Sequence, residues 1–167
     1  MVQINSNILE QLNDNVIHKK LVLDVCLYMA KYLFSVNRDD DAIELMKRAA
    51  NHDNSKFEKE ELLSLTSIVN NKESLKNPNV TMSDEVKKVI EKHWKKNRHH
   101  PEHFVSPSNM GEIDIIEMVC DQYARTLQFN NDYMEYIKIK QENRFHFDQE
   151  IFKKVLFYAN ILKSYHI

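Results

Sequence analysis

The sequence predicts an all-α protein, and three observations carry that prediction. Apolar residues recur at helical spacing in about seven stretches, no stretch alternates in the manner of a strand, and glycine is nearly absent. Gly111 is the only glycine among 167 residues, and there are three prolines. Tight hairpins, Gly-rich phosphate loops and Rossmann turns all need backbone that glycine supplies, so this composition excludes them. Six to eight helices, with no repeat, low-complexity tract or linker, imply one bundle-like domain over residues 1–167.

The elements follow in order. Residues 16–36 place Val16, Ile17, Leu21, Val25, Tyr28, Met29 and Tyr32 on a helical stripe. Asp39, Asp40 and Asp41 supply N-cap and first-turn carboxylates for a second helix, 41–51, with Ile43, Leu45 and Met46 apolar. His52-Asp53-Asn54-Ser55 breaks the pattern as a helix end, and a third helix spans about 57–70. Residues 71–82 are polar, contain Pro78 and read as a loop. Ser83 then starts a helix that runs to about Asn97. Pro101 disfavours helix at His100, so His99–Pro107 reads as an irregular loop. Helices over about 110–128, 131–142 and 147–164 complete the chain, the last two packing on the rest.

Composition narrows the function classes. Apolar residues make up 43% and charged residues 29%, the net charge is −2 and the pI is about 6.4, so nothing basic points to nucleic acid or a membrane surface. Cys26 and Cys120 lie far apart in apolar helical patterns and read as buried small hydrophobes. No apolar run is long enough to span a bilayer and the N-terminus lacks signal-peptide order, so a cytoplasmic location is expected.

Eight histidines stand out less by number than by position. Four fall within HWKKNRHHPEH, residues 93–103. Imidazole and carboxylate are the usual ligands of zinc, iron and manganese, and a buried ion needs several converging from different helices. His52 and Asp53 at a helix end can turn toward one cavity, and His18 offers a further imidazole. Asp114, Glu117 and Asp121 are spaced i, i+3, i+7, which puts three carboxylates on one helix face among apolar neighbours. Such a stripe is usually a solvated face. A carboxylate at the edge of the core, however, is costly unless paired or metal-bound. His146 and His166 have no partners in this pattern and read as surface residues. Trp94, Phe104 and the C-terminal aromatics read as packing, or in part as a dimer surface on an exposed last helix.

The order His18 … His52-Asp53 … Asp121 resembles the signature of the HD metal-dependent phosphohydrolase superfamily, and His52-Asp53-Asn54-Ser55-Lys56 resembles its HDxxK variant. Four segments, including HDNSKFEKEE and KHWKKNRHHPEHF, also resemble a family of small uncharacterised HD-like proteins of bacteria and their viruses, over about residues 17–125. The resemblance implies an HD-type helical fold holding one or two divalent ions of manganese, iron, zinc, cobalt or nickel. It implies His18, His52, Asp53 and Asp121 around one ion, with Asp53, His93 and one or two of His99, His100 and His103 around a second. Lys56, with Arg98 a further candidate, would meet a substrate phosphate, and Glu102, Asp114 or Glu117 would orient a ligand histidine. The expected function is hydrolysis of a small phosphate ester or nucleotide. The alternatives are an HD-type di-iron oxygenase and a metal-binding regulatory protein without turnover. Two departures limit the likeness. Pro-Glu-His-Phe follows the paired histidines where cyclic-dinucleotide members carry Gly-Tyr-Pro, and Lys56 stands where deoxynucleotidase members carry glutamate.

Overall fold

The computed structural model describes residues 6–70 and 83–165, with backbone only at 68–70. Seven α-helices run through them: α1 (Ser6–Ser35), α2 (Asp39–Asn51), α3 (Lys59–Asn70), α4 (Asp84–Lys96), α5 (Glu112–Phe129), α6 (Tyr133–Lys140) and α7 (Gln149–Leu162). No strand occurs among the described residues, so the fold is all-α. The predicted 71–82 loop lies outside the described residues. Among the described residues, no helix is long and apolar enough to cross a membrane.

Helix α1 starts ten residues before the position that hydropathy predicts. Its first turns bury Gln11 and Asn15, which bond each other at 2.8 Å, while Asn15 also donates to the Lys56 carbonyl oxygen. Polar residues therefore continue the buried stripe, and an apolar count misses the start. The phase shifts as well. His18, Val22, Val25, Cys26, Met29 and Leu33 face inward, whereas Val16 and Ile17 are exposed.

Helix α2 returns along α1. Asp39, Asp40 and Asp41 occupy its first turn, where the helix dipole favours negative charge. Arg38 precedes it and binds Asp41 at 2.7 Å, Glu112 at 2.9 Å and the Tyr158 hydroxyl at 2.7 Å, tying the α1–α2 corner to α5 and α7. Of the predicted apolar positions of α2, Leu45 is buried with Ala42 and Ala49, and Ile43 is exposed.

Helix α5 forms the central layer, packed against α1, α2 and α7. Ile115, Ile116, Val119, Cys120 and Ala124 are fully buried, and Cys26 and Cys120 are free, buried thiols. Asp114 accepts from the Gly111 N–H at 2.9 Å and so caps the helix start. The predicted irregular stretch after α4 contains two single turns of 3₁₀ helix, Pro101–His103 and Pro107–Asn109. His100 is extended (φ −91°, ψ 127°), as a residue before proline should be. Past α6 the chain makes one π-helical turn, Gln141–Phe145, before α7.

Candidate metal centre

The site is built around the end of α2. His52 leaves the helix in extended conformation, and Asp53 turns into the left-handed region (φ 52°, ψ 27°). That conformation costs on the order of 1 kcal/mol for most residues, and aspartate tolerates it better than most. The two abrupt turns let side chains that would diverge on a helix enter one cavity, with His52 Nε2 3.4 Å from Asp53 Oδ2. A 3₁₀ turn, Asn54–Phe57, then brings Lys56 Nζ to 2.5 Å from the same carboxylate oxygen.

Other elements supply the remaining groups. Helix α1 contributes His18, whose Nε2 lies 2.8 Å from Asp121 Oδ1 of α5; His52 Nε2 lies 3.5 Å from that oxygen. The last turn of α4 contributes His93, and the segment after it His99 and His100. Asp53 Oδ1 is 3.4 Å from both His93 Nε2 and His99 Nε2, and His93 Nε2 is 2.9 Å from His100 Nε2.

Three groups of potential ligands result. His18, His52 and Asp121 form one; Asp53, His93, His99 and His100 form a second; His52, His99 and Glu117 form a third that overlaps both; within each, the ligand atoms lie inside 4.8 Å of one another. These side chains are largely buried and could hold a metal ion.

Unpartnered atoms point the same way. His52 Nε2, Asp53 Oδ1 and His99 Nε2 are buried without a hydrogen-bond partner among the described residues. An orphaned buried polar atom costs about 1–3 kcal/mol, and cations held by these ligand groups would remove that cost. The donor set, imidazole nitrogen with carboxylate oxygen, fits a divalent transition ion.

The outward-facing nitrogens are held from behind. Glu117 Oε1 lies 3.3 Å from His52 Nδ1 and 3.5 Å from His99 Nδ1. Ser55 Oγ is hydrogen-bonded to His93 Nδ1 at 3.2 Å, and Glu61 of α3 places Oε1 2.7 Å from that nitrogen without hydrogen-bond geometry. Carboxylates behind metal-binding imidazoles fix the ring orientation and raise its basicity.

The electrostatics suit cation binding. Burial would raise Asp53, but Lys56 and then the surrounding imidazoles hold it well below the usual carboxylate range. Burial would likewise raise Asp121, and the bond to His18 with the His52 ring close by keeps it low. Glu117, also opposed by burial, is brought down to about 2 by His52 and His99. Burial, with His99 beside it, pushes His100 down to about 2, so its ring is neutral and keeps a free lone pair. His52 goes the other way. Burial opposes its charge, yet Asp53, Asp121 and Glu117 outweigh that and raise it to about 10. Without a metal, a proton holds its place there.

Four residues expected near the site are engaged elsewhere or one step removed. His103 donates from Nδ1 to the Lys95 carbonyl oxygen at 2.7 Å and joins no ligand group. Arg98 makes a two-pronged pair with Asp114, at 3.0 and 2.9 Å, and its guanidinium lies 5.2 Å from the Phe104 ring centre. Asp114 also binds Arg48 at 2.6 Å, and Arg48 reaches Glu117 at 3.6 Å, so Asp114 supports the site through an arginine. Glu102 binds Arg144 and touches no ligand histidine.

Three residues escaped the sequence reading. Glu61 lies in the first turn of a helix, where acidic residues have an ordinary electrostatic explanation; its burial is what distinguishes it. Arg125 and Arg144 line a cleft of about 160 Å³ together with Lys56, His99, His100 and Asp121. The available signal for Arg125 is its position one turn beyond Asp121 on α5. Arg144 sits on the π-helical turn and has no sequence signal.

Residues 7–159 match the model of a family described only as a family of unknown function, DUF5662. No curated protein and no solved structure matches the chain. With nearly its whole length inside that match, the chain belongs to the DUF5662 family.

Proposed function

We propose that this protein is a metal-dependent hydrolase of the HD type, acting on a phosphate ester or nucleotide. One observation carries the reading: a cationic cleft opens directly onto the ligand cluster. Lys56, Arg125 and Arg144 share this cleft with His99, His100 and Asp121, so an anionic group entering it would meet positive side chains and candidate ligands together.

The residues divide the work. His18, His52, Asp53 and Asp121 would hold one divalent ion; Asp53, His93, His99 and His100 would hold a second, with Asp53 shared between them. An ion so held supplies Lewis acidity and lowers the pKa of a coordinated water toward neutrality. Lys56 and the two arginines orient and neutralise the phosphate. Glu117 and Glu61 keep the imidazoles aimed, and Met118, Pro101 and Phe145 along the same cleft limit water access.

A second reading has its own support. Five histidines and a shared aspartate also suit a pair of irons, as in an HD-type oxygenase. Protein purified without chelator, analysed for bound metal and then offered a panel of phosphate esters with added manganese, separates the two. Phosphate release that chelator abolishes supports the hydrolase. Bound iron with oxygen consumption and no phosphate release refutes it in favour of the oxygenase, and bound metal with neither activity leaves a regulatory metal protein.

A further inference from the structure

Helix α1 is apolar on two faces, and only one of them is used. The inner face packs against α2, α3 and α5. Leu9, Val16, Leu23, Leu27 and Phe34 lie outward, each between 38% and 55% exposed. Their spacings of seven, seven, four and seven residues make one continuous stripe, the pattern of a coiled-coil seam. A helix that is apolar around most of its circumference is normally buried on both sides. Among the described residues, nothing buries this one.

We infer that the outer face of α1 is the interface of a symmetric dimer, in which α1 pairs antiparallel with α1 of a second copy of this chain. The stripe is complementary to itself. A two-fold axis passing between Leu21 and Val22 sets Leu9 opposite Phe34, Val16 opposite Leu27, and Leu23 opposite the aliphatic stem of Lys20. The same register brings Lys20 on the stripe's flank beside Asp24 of the other copy, twice by symmetry. Lys20 is exposed and Asp24 half-buried, so both charges are at hand for that pairing. A parallel pairing lacks this match, because Lys20 would then meet Lys20. His18 projects from α1 about 200° around from Val16, so the dimer leaves the ligand cluster and its cleft open.

The test uses the full-length protein. Sedimentation equilibrium at high micromolar concentration should give twice the 19.9 kDa chain mass. Leu27→Glu, at an exposed position facing Val16 of the other copy, should weaken association about tenfold or more with helical content and bound metal unchanged. Cysteine cross-linking fixes the orientation independently, since Cys26 and Cys120 are buried. A mixture of Leu9→Cys and Phe34→Cys proteins should form a mixed disulfide under mild oxidation. Leu9→Cys alone should not, because its two copies lie roughly 35–40 Å apart in this register. A monomer at all concentrations, a dimer indifferent to Leu27→Glu, or a disulfide between two Leu9→Cys chains would each overturn the inference.

Discussion

Glu117 Oε1 stands behind two imidazoles at once, 3.3 Å from His52 Nδ1 and 3.5 Å from His99 Nδ1. One carboxylate on α5 thereby turns the Nε2 atoms of two distant histidines toward the same cavity. The two rings, with centroids 4.2 Å apart, are locked as a pair.

Glu117→Gln tests that lock. The amide keeps the size but loses the charge that draws both N–H donors. Metal affinity, by calorimetry or competition with a chromophoric chelator, should fall about 10–100-fold. Affinity within a factor of two of the parent would mean that the rings are oriented by packing alone.

Asp53→Asn addresses the aspartate proposed as a ligand of both ions. Asparagine also tolerates the left-handed backbone at this position, so the turn should survive while a negative oxygen facing both groups is lost. Bound metal should drop to a small fraction of the parent level, measured by mass spectrometry of chelator-free protein, with an unchanged circular dichroism spectrum. Full retention of metal would remove Asp53 from the centre.

Metal uptake should depend on pH through His52. Because its surroundings raise the metal-free ring to about 10, an ion must displace a proton across the working range. Apparent affinity should rise with pH by up to about tenfold per unit below that value, with close to one proton released. Calorimetry in buffers of different ionisation enthalpy counts the proton. His100, neutral down to about 2, should release none.

The same shifts shape the stability of the metal-free protein. His52, raised from 6.5 to about 10, contributes stability that is complete below 6.5 and is lost as pH rises toward 10. His100 behaves oppositely. Its folded ring resists a proton that the unfolded chain accepts, so stability falls as pH drops from 6.5 toward 2, and the depressed Asp53, Asp121 and Glu117 add to the loss at the acid end. Thermal melts in chelator should peak near neutrality. A melting temperature that climbed steadily from pH 7 to 9 would contradict the assignment for His52.

Substitutions at the cleft should separate metal binding from substrate binding. Arg144→Gln should raise KM about tenfold with metal content unchanged, and Lys56→Met should lower kcat/KM roughly 10–100-fold, the range for losing a charge-assisted hydrogen bond. Unchanged kinetics of both variants on a phosphate ester would argue that these cations do not contact substrate.

Residue type and spacing alone carried much of this protein. Helical periodicity and a single glycine were enough for an all-α chain, because a helix is a local structure whose period is written in consecutive residues. The ordered histidines and aspartates named most of the side chains that meet in the cavity, since few other residues could serve as ligands. Only the tertiary structure decided which of them arrive. His99 enters the cluster and His103, four residues on, bonds the Lys95 carbonyl, a difference set by the turns at Pro101. Arg98 goes to Asp114, while Arg125 and Arg144 line the cleft, and Glu61 and Glu117 prove to stand behind imidazoles from other elements. Those choices depend on how helices separated by tens of residues cross, and on buried charges finding partners at a few ångströms. Neither is written in the period of any one helix.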